Sequence, residues 1–210
     1  MTLARPLKAR LRSAVFLGVL TSLPISGAIV GIHWASVYGP RWWEIPGVEF
    51  LTIPMFLALL ALPVSLVATL LKRARHASLA ATCFIFVFFL LQALSWVAAW
   101  RIRDHGFAQL ARQARPLVQA IHDYEDLNGS PPESLDELPA DLRRDLPTFD
   151  YLADADTPLH YHGNPWILSL PTATGILNWD QFIYYPLQNY PDLGHGGWLK
   201  RIEDWAYVHE

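Results

Sequence analysis

The sequence is poor in charge and almost free of cysteine. Asp, Glu, Lys and Arg make up 17% of its 210 residues, where soluble domains carry about a quarter. The single Cys83 excludes an intramolecular disulfide. It lies inside an apolar run and reads as a small buried hydrophobe. A hydrophobic content of 52% excludes a disordered tail. The sequence contains no nucleophile elbow, phosphate-binding glycine loop, His-x-x-x-His pair, internal repeat or low-complexity tract.

What is present is divided between two halves. The net charge is −3. Residues 1–100 carry eight Lys/Arg against Glu44 and Glu49, a net of +6, and residues 101–210 carry eight against seventeen acids, a net of −9. Three stretches hold no Asp, Glu, Lys or Arg: Ser13–Pro40, Phe50–Leu71 and His76–Trp100. A helix needs about 20 apolar residues to cross the hydrocarbon core, so all three are expected to be transmembrane helices. Pro24, Pro54 and Pro63 are tolerable there as kinks. Trp34, Tyr38, Trp42 and Trp43 close the first span, and Trp96 and Trp100 close the third, as aromatic belts do.

Orientation follows from the cations. Arg5, Lys8, Arg10 and Arg12 precede the first span, and Lys72, Arg73 and Arg75 form the turn between the second and third. Positive-inside puts both in the cytoplasm and residues 101–210 outside it, in a multi-pass protein of the cytoplasmic (inner) membrane. Arg101 and Arg103 weigh on the other side. The first span also has the basic start of a signal peptide, with Ser26-Gly27-Ala28 as a cleavage site. Its apolar run continues beyond the usual length, and cleavage would leave the downstream orientation unchanged. His33 and Gln92 are the nearest approach to intramembrane ionisable or polar chemistry, which argues against transport. Gly27, Gly31 and Ala35 form a small-residue stripe expected to pack within the three-helix anchor, with a dimer seam as the alternative.

From residue 101 the pattern is that of a small α+β domain. Phe107–Leu127 carries a helical apolar stripe, Leu110, Ala114, Leu117, Val118, Ile121 and Tyr124, with a kink or break expected at Pro116. If Gly106 and Pro116 only bend the chain, a rod of about 50 residues, roughly 75 Å at 1.5 Å per residue, runs on from the third span. Asn128-Gly129 is a helix stop. Ser130 and Glu133 have capping-box spacing before a short helix at 132–138, and 141–146 adds a turn. Leu159–His162 and Pro165–Leu170 read as a hairpin about Gly163-Asn164, Gln181–Tyr185 as a third strand and Trp198–Val208 as a fourth.

The run Ala120-Ile121-His122-Asp123-Tyr124, Asn128-Gly129, Pro132, Ser134-Leu135 and Glu137-Leu138 resembles that of type II secretion pseudopilins and related type IV pilin-like proteins. The resemblance implies a membrane helix continuing into a soluble helix packed on a small antiparallel sheet. The chain is expected to depart from that family in lacking a prepilin-peptidase leader and a glutamate at the start of a hydrophobic N-terminal helix, and in having two additional spans. The resemblance therefore implies a pilin-like module held permanently in the membrane, not a pilin that is cut out and polymerised.

Several residues invite chemistry. His160 and His162 share a face if 159–162 is a strand, and Asp192 and His195 lie in a Pro/Gly-rich loop that can approach them, so zinc is one candidate. Asp150, Asp154 and Asp156 suit calcium or simply turns. Trp166, Trp179, Trp198 and Trp205 suit core packing or an aromatic groove for a peptide or glycan. His122, Asp123, Glu125 and Asp126 read as a solvated helix face. The acidic half repels nucleic acid. The expectation is a three-helix anchor (1–100) displaying a pilin-like domain (101–210) to a protein partner in the membrane or envelope, with no cofactor. The alternative is a membrane-anchored, metal-dependent enzyme using His160, His162 and His195.

Overall fold

A computed structural model describes residues 5–38, 48–153, 162–172, 180–191 and 198–209. The chain divides into two compact units, 1–34 with 45–102, and 35–44 with 103–210. Three long helices, α1 (Arg5–Tyr38), α2 (Ile53–Ala68) and α3 (Arg75–Asn128), are followed by five strands. Each contains a segment long and apolar enough to cross a membrane; for α2 that segment begins at Phe50.

The first unit is apolar on its surface, and its interior mixes polar residues with Leu7, Ala14, Ile29, Phe88 and Ala99. Ser22, His33, Gln92 and Ser95 are buried, while Phe16, Leu23, Phe56, Val64 and Val67 are exposed. The Gln92 side-chain amide donates to the Ser22 carbonyl (3.2 Å) and to Ser26 Oγ (3.3 Å), joining α1 to α3. The His33 ring meets Trp96 edge-on, with centroids 5.1 Å apart. Thr82 donates to Ser65 Oγ at 3.0 Å, joining α2 to α3. The expected glycine contact falls elsewhere. A Cβ at Gly27 or Gly31 would meet nothing within 4 Å, whereas one at Gly18 would lie 3.2 Å from the Phe84 carbonyl oxygen and from Val87. Of the expected stripe only Ala35, one turn beyond Gly31, is buried.

In the second unit α3 runs unbroken through Pro116. The proline is exposed, so the carbonyl it leaves unbonded one turn earlier stands on the solvent side and water can satisfy it. The helix stops where expected. Gly129 takes φ 76° and its N–H donates to the Glu125 carbonyl (2.8 Å), a conformation costly for any residue with a Cβ. The cap that follows is Ser134, not Ser130. Ser134 Oγ accepts from the Asp136 N–H (3.3 Å) and Glu137 accepts from the Ser134 N–H (3.1 Å), capping a single 3₁₀ turn at Leu135–Glu137. Pro131 and Pro132 hold the chain extended ahead of it, which delays the start by four residues.

The strands are β1 (Asp150–Ala153), β2 (Trp166–Pro171), β3 (Gln181–Tyr184), β4 (Trp198–Ile202) and β5 (Trp205–His209). They form one antiparallel sheet in the order β1-β2-β3-β5-β4. Side chains alternate between its faces. Trp166, Leu168, Leu170, Phe182, Tyr184, Trp205 and Tyr207 share a core with Phe107, Leu110, Ala114, Leu117 and Ile121 of α3. Ile167, Ile183, Tyr185 and Ala206 form a smaller cluster on the other face.

Two strand assignments differ from the sequence expectation. The partner of β2 is 150–153, with Ala153 opposite Trp166, and His162 belongs to a turn with Gly163, where both have positive φ. The expected turn at Gly163-Asn164 is shifted by one residue. Asn164 is buried instead, donating to Asn189 Oδ1 and accepting the Leu187 N–H. The expected fourth strand is two, because Glu203 takes φ 55° and turns the chain back on itself. Arg112 and Arg115 of α3 hold the Glu203 carboxylate there at 2.8 and 3.0 Å.

Candidate functional site

The most heavily built polar cluster lies where the start of β3 meets the end of β5. Asp180 is 1% exposed. Its Oδ1 lies 2.6 Å from His209 Nδ1, and its Oδ2 lies 3.4 Å from Arg103 Nη2. The same guanidinium donates to the Tyr207 hydroxyl and to the Thr172 carbonyl (3.3 Å), with its carbon 4.5 Å from the Tyr207 ring centroid. Trp198 packs against both Tyr207 and His209, with centroids 5.5 and 5.4 Å away. The Thr172 N–H donates to the Asp180 carbonyl at 2.8 Å, so the pair ties together the two ends of segment 173–179. A buried carboxylate between a guanidinium and an imidazole is compensated on both sides, as a buried charge must be. A carboxylate on Nδ1 also fixes the imidazole's orientation and leaves Nε2 as its other functional edge.

A second feature is an open pocket of about 310 Å³ in the segment after α3. Leu117, Leu146, Phe149 and Tyr151 supply its apolar lining, and Glu133 and Arg143 are among its polar residues. Arg143 Nη1 donates to Asp136 (2.8 Å), while its buried Nε has no hydrogen-bond partner among the described residues. Tyr151 donates to the Pro132 carbonyl at 2.9 Å, and burial pushes its phenol pKa up. Nearby, the Tyr124 hydroxyl donates to Glu137. That bond, with the Ser134 N–H, holds the Glu137 carboxyl below the usual range. On the other face of the sheet Tyr190 donates to the Asp204 carbonyl (2.8 Å) and accepts the Tyr185 N–H (2.9 Å), its phenol also pushed up by burial.

The residues singled out in the sequence fall in different places. Trp166 and Trp205 are 0% and 1% exposed and belong to the core with α3. Trp166 Nε1 is satisfied by Glu125 at 3.1 Å, so neither ring offers a face to a partner. Trp198 is 46% exposed. Trp179, His160, His195, Asp154, Asp156 and Asp192 lie outside the described residues. His162 is in a turn, and Asp150 is a residue of edge strand β1. Among the described residues no group of three His, Cys, Asp or Glu is placed to hold a metal.

The Arg103–Asp180–His209 cluster has only one sequence cue, an acid between Trp179 and a strand of aromatic and apolar residues. Its partners lie 77 and 29 residues away along the chain, beyond what spacing within a motif can reveal. The chain matches no family model, no curated protein and no solved structure.

Proposed function

We propose that the chain is a multi-span protein of the cytoplasmic membrane. Its acidic α+β unit stands on the extracytoplasmic side as a pilin-like module that docks a protein partner in the membrane or envelope. The observation that carries this is the apolar surface of the first unit. Large apolar side chains face outward along all three helices, while Ser22, His33, Gln92 and Ser95 are inside. In water that surface would be an aggregation liability, and in lipid it is the expected one. The second unit is built for water. Its sheet buries an aromatic core against α3, and its edge strand β4 carries Lys200 and Arg201, which discourage pairing with other strands.

The pilin-like layout draws support from α3, a single helix that leaves the charge-free run 76–100 and then covers one face of a small antiparallel sheet. The residues that carry the sequence resemblance also bond to one another. Tyr124 meets Glu137, Glu137 meets Ser134, and Ile121 and Leu138 join the core. Orientation gains support from Arg103. Its charge is engaged by Asp180 in the second unit, so it weighs less against a cytoplasmic N-terminus than a free cation would. Trp198 and the pocket about Arg143 are the surfaces where a partner is expected.

A reporter enzyme active only outside the cytoplasm tests this. Fused after Glu210 it is expected to be active, and fused after Arg75 silent. Activity only at Arg75 would invert the topology and sink the proposal.

A further inference from the structure

We propose that the N-terminal stripe of α1 is a binding site for one anionic phospholipid of the cytoplasmic leaflet, with Lys8 and Arg12 on its phosphate and an acyl chain along Leu11, Val15, Phe16 and Val19. The inference rests on the membrane-spanning reading above. These six residues line one open groove of about 520 Å³. Positions 8, 12, 15, 16 and 19 follow the three-and-four spacing of a single helix face, so the two cations stand together at one end and the apolar residues follow in line. Both cations are exposed, as are Val15 and Phe16.

Charge and length both fit a lipid. The helix Arg5–Tyr38 contains no Asp or Glu, so no carboxylate of its own helix competes for Lys8 or Arg12. From Lys8 to Val19 the helix rises roughly 16 Å at 1.5 Å per residue, about half the thickness of a hydrocarbon core of about 30 Å. One acyl chain of a single leaflet matches that length, with its headgroup level with the cations. Arg10 lies about 200° around the helix from Lys8 and outside the groove. It adds to the surface potential, as do Lys72, Arg73 and Arg75, but not to the site. A free phosphate would satisfy the cations and leave the apolar stripe unused, so the site is assigned to the lipid.

The test uses the full chain in detergent micelles. Binding of dioleoyl phosphatidylglycerol and dioleoyl phosphatidylcholine is followed by native mass spectrometry. The phosphatidylglycerol is expected to bind preferentially and to resist displacement by inorganic phosphate. Lys8→Gln with Arg12→Gln is expected to weaken it by up to about thirtyfold, the loss of two exposed ion pairs to the phosphate. Arg10→Gln with Lys72→Gln removes the same charge and should leave it within about threefold, because these positions act only through the screened surface field. Phe16→Ala should weaken both lipids. Equal losses in the two double variants, absence of a preference for the anionic lipid, or displacement by inorganic phosphate would overturn the site. Flotation of the chain with pure phosphatidylcholine vesicles separates the two claims. Failure to float defeats the membrane reading, and flotation without the lipid preference defeats this inference alone.

Discussion

Asp180 is the residue on which the second unit's polar interior depends. Removing it leaves the Arg103 guanidinium, whose side chain is 11% exposed, without its carboxylate and takes away a partner of His209. Breaking a buried pair from one side costs about 3–5 kcal/mol. Asp180→Ala is therefore expected to destabilise the full chain by that amount in a denaturant melt followed by near-UV circular dichroism. A loss below about 1 kcal/mol, the range of a surface pair, would show that the cluster is not buried as described. Glu137 makes a pH prediction of definite sign. Its carboxyl is held below the usual range, first by the Tyr124 hydroxyl and then by the Ser134 N–H. The stabilisation is complete above the unfolded pKa and disappears as pH falls through the lowered folded value. Tyr124→Phe should move the Glu137 titration, read by NMR, back toward the ordinary glutamate range and reduce the acid sensitivity of the fold.

At the scale of elements, the two glycine environments of α1 separate packing from propensity. Gly18→Ala puts a Cβ against backbone and Val87 of α3 and should lower the melting temperature in detergent. Gly27→Ala and Gly31→Ala meet open space, so helix propensity alone acts, in favour of alanine by up to about 1 kcal/mol. Gly129→Ala also meets open space, but its φ of 76° makes the change cost about 1–2 kcal/mol through the backbone alone.

These elements also mark where sequence was informative. The long helices were legible because charge-free length is a strong signal, and the Gly129 stop because few other residues accept its conformation. The faces of β5 were legible from alternation, with Trp205 and Tyr207 toward α3 and Ala206 away. The start of β1 was not, because Asp150 on an exposed edge strand looks the same as Asp in a turn. The β4–β5 turn was hidden because Glu203 takes its positive φ while held by two arginines of α3, a tertiary contact with no local signature. The candidate sites were least legible. Arg103, Asp180 and His209 come from three elements, and the pocket about Arg143 forms only when 133–151 closes on Leu117.

At the scale of the molecule, the net charge of −3 is the difference between a basic half and an acidic half. The basic half places its cations at α1's start and in the α2–α3 turn, the two places that the proposed topology puts in the cytoplasm. The acidic half closes an aromatic core and spends several acids on ion pairs within its own unit, at Asp104, Asp136, Asp180 and Glu203. In the proposed topology these halves face different solvents, with the second outside the cytoplasm. Labelling of single cysteines in intact cells by a membrane-impermeant maleimide tests it most directly. In a Cys83→Ser background, Leu127→Cys places a thiol where the native side chain is 86% exposed, and Lys72→Cys places one in the turn between α2 and α3. Leu127→Cys is expected to be labelled in intact cells, and Lys72→Cys only after the membrane is opened. Labelling of Lys72→Cys in intact cells with Leu127→Cys protected would contradict that topology.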